Sequence, residues 1–209
     1  ALLLSGHLLA AGQLEKLDPN NISSEEFLSS LETMDRLDVY DDSDYKVNLM
    51  ANYLRFDTAV GRGMAEKYAQ QLLATEEYDA CYQVANYYYL PLRDFTGFYD
   101  AIQTGLLQER SNPDAWNSAF HLFQNIFDAL DADDMEAYIA GIVSTGALMD
   151  ETNETLMAPI TLDEGNAALL ACARTLQDVP GEPAQGVLAP LLGEKPVKNS
   201  GLFKKSRDF

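Results

Sequence analysis

Val47-Asn48-Leu49-Met50-Ala51-Asn52-Tyr53-Leu54 places apolar or small side chains at 47, 50, 51 and 54. The same spacing returns at Cys81, Val84, Ala85 and Tyr88, and again at Ala115, Ser118, Ala119 and Leu122. Offsets of i, i+3, i+4 and i+7 trace one face of an α-helix. Each copy lies 34 residues after the last, an interval shared by Val39, Leu73 and Leu107. A second helical stripe comes later in each copy: Ala65, Tyr68 and Leu72, then Tyr99, Ile102 and Leu106, 34 residues on. Met135, Tyr138, Ile139 and Ile142 stand 36 beyond Tyr99, Ile102, Gln103 and Leu106. That slip requires a connection two residues longer, which a surface loop absorbs at little cost. The repeat therefore reads as three helix pairs over 37–148. One pair cannot cover its own stripe, so neighbouring pairs must stack. No run alternates with the period of a strand. The expected class is all-α, made of stacked antiparallel helix pairs.

Outward from this core, the punctuation sets the remaining segments. A leucine-rich helix over 2–17 should stop at Leu17-Asp18-Pro19, because a residue before proline leaves the helical region. Ser23 or Ser24 then opens a helix with Phe27, Leu31 and Met34 on one face. Asp41, Asp42, Ser43 and Asp44 form the next start signal, since carboxylates suit a positive helix end. Helix 43–56 is expected to lead through a Gly61-Arg62-Gly63 turn into helix 64–74. Helices 78–90, closed by Pro91, and 97–108 form the second pair. Asn112-Pro113-Asp114 opens the third, with proline in the first turn, and helix 133–148 completes it. Residues 150–160 read as a polar connection. Thr161 and Glu164 are spaced as a capping box for a last, capping helix over 162–177. Recurrent Pro and Gly from Pro180 onward exclude continued helix and end the chain in an irregular, basic tail. The expected organisation is one helical domain over 1–178, with the repeat core at 37–148, and an irregular segment over 179–209.

At 209 residues with 47% apolar content the chain can bury a real core. Its net charge is −19. Lys195, Lys198, Lys204, Lys205 and Arg207 all lie in the tail, so the rest is more acidic still. Such a body is repelled by nucleic acid and by anionic lipid headgroups, which removes nucleic acid as an expected partner. It attracts a basic partner or simply keeps the surface solvated. Cys81 and Cys172 sit on helical stripes and read as small core residues, with no metal-ligand spacing. No stretch approaches the ~20 apolar residues of a membrane span. The apolar opening Ala1 to Ala11 fits either a first helix or the trimmed end of a longer apolar segment in a parent protein.

The large, large, small, large pattern at 47, 50, 51 and 54, with its 34-residue interval, resembles the tetratricopeptide repeat. The family's aromatic, leucine, glycine and tyrosine stand here as Val47, Met50, Ala51 and Leu54, and only the third copy has a junction proline, Pro113. The resemblance implies a superhelix whose first helices line a concave groove. Carried over by position, the groove would present Asn48, Asn52 and Arg55, then Tyr82, Asn86 and Tyr89, then Trp116, Phe120 and Phe123. Asparagine amides offer donors and an acceptor to an extended peptide backbone. Aromatic rings add flat contact area that suits a side chain or a sugar. The alternative is that the third aromatic set packs beneath the C-terminal helices.

Leu17-Asp18-Pro19, Leu37-Asp38, Tyr45-Lys46-Val47-Asn48-Leu49 and Leu156-Met157-Ala158-Pro159-Ile160 resemble the soluble C-terminal region of O-antigen ligase-like and polymerase-like bacterial membrane proteins. That resemblance implies a membrane-spanning parent, an extracytoplasmic location and a supporting role in envelope glycan assembly. It transfers no catalytic residue.

Constellations with chemical potential have simpler readings. His7 and His121 pair with no serine or cysteine nucleophile at a recognisable spacing. Asp131, Asp133, Asp134 and Glu136 lack the glycine and terminal glutamate of a calcium loop and suit the start of helix 133–148 instead. Gly61-Arg62-Gly63 has no strand before it and is no phosphate cradle. Asn21-Ile22-Ser23 and Asn153-Glu154-Thr155 match the glycosylation sequon, which matters only in a eukaryotic secretory host. No metal or cofactor is expected. The leading expectation is a non-enzymatic scaffold that binds a protein or extended peptide, or a glycan, and meets a membrane only through a parent protein. An enzyme holding two carboxylates across a glycan and a purely structural spacer are the alternatives.

Overall fold

Thr58 accepts a hydrogen bond from the Gly61 amide at 3.0 Å, and that cap starts a helix earlier than its glycines suggest. The computed structural model describes residues 29, 32–33, 43–55, 58–75, 77–179 and 185–192. The expected helices over 2–17 and from Ser23 or Ser24 lie outside the described residues apart from residues 29 and 32–33, which are helical. The basic tail lies outside them as well. Among the described residues the fold is all-α, with no strand. The chain falls into two compact units, Ala1–Gln108 and Glu109–Phe209. The division separates the second helix pair from the third.

In the first unit, α1 (Ser43–Leu54) packs on α2 (Ala59–Leu73), and α3 (Tyr78–Val84) packs on α4 (Phe95–Gln108). Helix α3 also touches α1 and α2, so the two pairs pack on each other. The core holds Leu49, Met50 and Tyr53 from α1 against Ala65, Tyr68, Ala69 and Leu72 from α2, joined by Ala80 and Val84. Tyr53 and Tyr68 stack at 6.2 Å between ring centroids. The Gly61-Arg62-Gly63 segment, expected as a turn, lies inside α2. The Thr58 cap and the buried Gly61–Ala65 face outweigh the local cost of two glycines.

The second pair depends on a close approach. A Cβ on Gly105 would stand 3.0 Å from the Tyr78 Cα and 3.1 Å from the Tyr82 Cε1. Glycine is what lets α4 meet α3 backbone to side chain. Past α3 the chain widens into a π-helical turn, Ala85–Tyr89, where the Leu90 amide donates to the Ala85 carbonyl at 3.0 Å. The bond from the Asp94 amide to the Tyr89 carbonyl, 3.0 Å, also reaches back five positions. Pro91 has no N–H to offer the preceding turn, so α-helical bonding cannot continue through it. Arg93 takes a left-handed conformation at φ 55°, reversing the chain before Asp94 caps α4 through its Oδ1 to the Gly97 amide, 2.9 Å.

The second unit starts as its sequence predicts. The Asn112 side chain accepts from the Asp114 amide at 3.0 Å, Pro113 occupies the first turn, and α5 runs Pro113–Ile126. Asp131 and Asp134 form a reciprocal capping box around the short 3-10 turn Ala132–Asp134, which leads into α6 (Met135–Asn153). Those carboxylates thus serve as caps. Helix α6 runs to Asn153, beyond the expected end at 148. Helix α7 (Glu164–Gln177) packs on both α5 and α6, and α8 (Gln185–Leu188) touches α7. A Cβ on Gly146 would meet the Leu170 Cδ1 at 2.5 Å, so glycine sets the α6–α7 approach as Gly105 does for α3–α4. Arg174 and Asp150 pair at 2.5 Å across the same two helices.

The Thr161–Glu164 capping box does not form. The N-cap of α7 is Asp163, whose own side chain makes no cap bond. Asn117 of α5 supplies the cap from across the unit, its Oδ1 accepting from the Asp163 amide at 2.7 Å. The fully buried Asn166 donates through Nδ2 to the Asn117 carbonyl at 3.0 Å. One asparagine therefore locks two helices that are far apart in sequence.

Candidate functional site

The nine residues expected to line a groove fall into three groups. On α1, Asn48 is exposed and Asn52 half-buried, with Arg55 exposed just beyond the helix end. Each asparagine donates one amide proton back along the helix: Asn48 Nδ2 to the Asp44 carbonyl at 2.9 Å, Asn52 Nδ2 to the Asn48 carbonyl at 2.8 Å. A primary amide has a second N–H and an oxygen acceptor, so each keeps capacity for a ligand. Asn86 is half-buried in the π turn, on an element that packs against α1. The equivalent positions Asn52 and Asn86 thus sit on two packed elements of one unit.

Tyr82, Trp116 and Phe120 present no such surface. Tyr82 is buried against Gly105 of α4, its ring edge-on to Tyr78 at 5.5 Å. Burial, then the neighbouring Cys81, Tyr78 and Asp79, pushes its phenol well above the ordinary tyrosine range. Trp116, Phe120 and Phe123 are at 0% exposure. The indole of Trp116 donates to the Arg110 carbonyl at 2.9 Å, and the Tyr138 hydroxyl donates to the Phe123 carbonyl at 2.7 Å. Such pairing of the polar tips is what burial of these rings requires. The aromatic set of the third copy is core, because α6 and α7 pack over α5.

Tyr89 departs from the expected face for a different reason. A π turn adds a residue to the helical count, so the residues after it are rotated away from the 34-residue lattice. Its ring lies over Gly97 of α4, where any Cβ would collide with the Cδ1 and Cε1 carbons. Tyr88 and Tyr89 stand edge to face at 5.1 Å and 74°. Both are half-buried, and both phenols are raised. For Tyr88 the causes are burial, then Glu66, Tyr89 and Asp94; for Tyr89 they are burial, then Asp94, Asp100 and Glu66. The groove lattice does not contain this corner. Its only trace in the sequence is the Tyr87-Tyr88-Tyr89 run ahead of Pro91.

His121 has structural partners. His121 Nε2 lies 3.5 Å from Asp163 Oδ2, and its Nδ1 lies 3.2 Å from Gln124 Oε1. Both ring nitrogens are thereby engaged; His7 lies outside the described residues. Cys81 is buried and Cys172 half-buried, and no disulfide joins them. Among the described residues no group of three or more His, Cys, Asp or Glu is placed to hold a metal, and no helix is long and apolar enough to cross a membrane. Comparison of the chain with protein-family models, with curated proteins and with solved structures gives no match.

Proposed function

We propose that this chain is a non-enzymatic scaffold whose first unit binds an extended segment of a protein partner along α1 and the π turn. The observation that carries the reading is the pair Asn52 and Asn86. Two amides at the same register, on elements packed against each other, suit the repeating donors and acceptors of a peptide backbone. Asn48 and Arg55 extend the row on α1. Within the first unit the two helix pairs pack on each other, in keeping with stacking of the tetratricopeptide kind. The short strings shared with O-antigen ligase-like proteins support placing the chain on the extracytoplasmic side of a bacterial membrane, joined to a spanning parent that assembles envelope glycan.

The test is selection of displayed peptides against the full chain, followed by titration of the enriched sequences against the Asn52→Ala/Asn86→Ala variant. Two lost amide contacts should weaken binding about tenfold, or 1.4 kcal/mol. Equal binding by the variant would discard the asparagine row, and failure to enrich any peptide would leave the chain a spacer rather than a receptor. The location is tested by protease digestion of intact cells expressing the parent. Cleavage without lysis supports the extracytoplasmic reading, and full protection until lysis overturns it.

A further inference from the structure

The corner formed by Tyr88 and Tyr89 is not part of the asparagine row, yet it combines half-exposed aromatic rings with a neighbouring carboxylate. Its two rings meet edge to face at 74° with centroids 5.1 Å apart, packed against the core of the first unit yet only half-buried. Gly97 leaves the space that the Tyr89 ring occupies, and Asp94 Oδ2 stands 2.9 Å from the point where a Gly97 Cβ would be. Ring and carboxylate therefore share the first turn of α4. The negative charge of Glu66 on α2 raises both phenols, and that of Asp100 on α4 raises Tyr89, in addition to the Asp94 carboxylate beside the ring. Tyr87 and Leu92, 45% and 44% exposed, flank it along the chain.

We propose that this corner receives the side chain of a lysine or arginine from a protein partner. Aromatic faces attract cations through their quadrupole, and the carboxylates supply the countercharge at the rim. The net charge of −19 draws a basic segment toward the surface before it docks. The inference deepens the scaffold reading and rests on it, because it names the chemistry of the partner while the asparagines hold its backbone.

The experiment uses the full chain and two labelled decapeptides, one with three lysines in a glycine–serine frame and the other acetylated at every lysine. Fluorescence anisotropy should show binding of the first and not of the second. Tyr88→Leu and Tyr89→Leu should each weaken it about fivefold, the size of a cation–π contact. Tyr88→Phe, which keeps the ring, should remain within about twofold of the wild type. Asp94→Asn keeps the cap acceptor for α4 while removing the charge, so it should weaken binding with the helical circular dichroism unchanged. Equal binding of both peptides, or of the lysine peptide to wild type, Tyr89→Leu and Asp94→Asn alike, would overturn the corner and leave only diffuse attraction to an acidic surface. Absence of any binding would overturn it as well. Loss of the selected peptides in Asn52→Ala/Asn86→Ala but not in the tyrosine variants would retain the scaffold and discard the corner. The reverse pattern would retain the corner and discard the asparagine row.

Discussion

Gly63 sits inside α2 with nothing within 4 Å of the place a Cβ would take. Alanine there removes backbone freedom from the unfolded chain and clashes with nothing. Gly63→Ala should raise stability by about 0.5–1 kcal/mol, read as a higher urea midpoint with an unchanged slope. Glycines 97, 105 and 146 are the opposite case, since each admits a close neighbour that a methyl would strike. Tyrosines add a pH dependence. Tyr82, Tyr88 and Tyr89 all hold their protons more tightly folded than unfolded. The stability this confers is complete below the ordinary phenol value of about 10 and is lost as pH rises beyond it, when the unfolded chain ionises first. Denaturation at pH 8 and at pH 10.5 should show that loss, and Tyr82→Phe should reduce it.

Helix α7 shows how an element can owe its start to a distant residue. Its own N-cap, Asp163, makes no side-chain cap bond, and Asn117 of α5 takes over that function. Asn117→Ala removes the acceptor for the Asp163 amide and a partner of the buried Asn166. The cost should be about 1–2 kcal/mol, concentrated in α7. Amide exchange would locate it: protection should fall over 163–170 and persist in α5. The π turn is the other element-level device. It rotates Tyr89 out of the repeat lattice and onto α4, which creates the aromatic corner. Neither the Asn117 cap nor the π turn can be read from helix propensity, since one depends on a partner helix and the other on a local hydrogen-bond shift.

At the scale of the molecule, charge is the dominant feature. A chain at −19 repels itself in its compact state, and salt screens that repulsion. Melting temperature should therefore rise between 10 and 300 mM sodium chloride, by roughly 2–4 °C for each kcal/mol recovered. A fall over that range would mean that attractive ion pairs, such as Arg174 with Asp150, outweigh the excess of carboxylates. Surface pairs of that kind are worth about 0–1 kcal/mol each, too little to expect that outcome.

The order of residues alone determined the helical class, the register of the stripes around Met50, Val84 and Ala119, and the caps at Asn112 and Asp131. These depend on neighbours within one or two turns, where backbone geometry leaves few choices. It also carried the charge. Tertiary packing decided which residues at equivalent positions meet solvent. Asn48, Tyr82 and Trp116 share one position of the 34-residue repeat, yet the first is exposed and the other two are buried. A periodic pattern specifies a direction around a helix, whereas burial depends on what lies in that direction: open solvent beside Asn48, helix α4 over Tyr82, and the core of the second unit around Trp116.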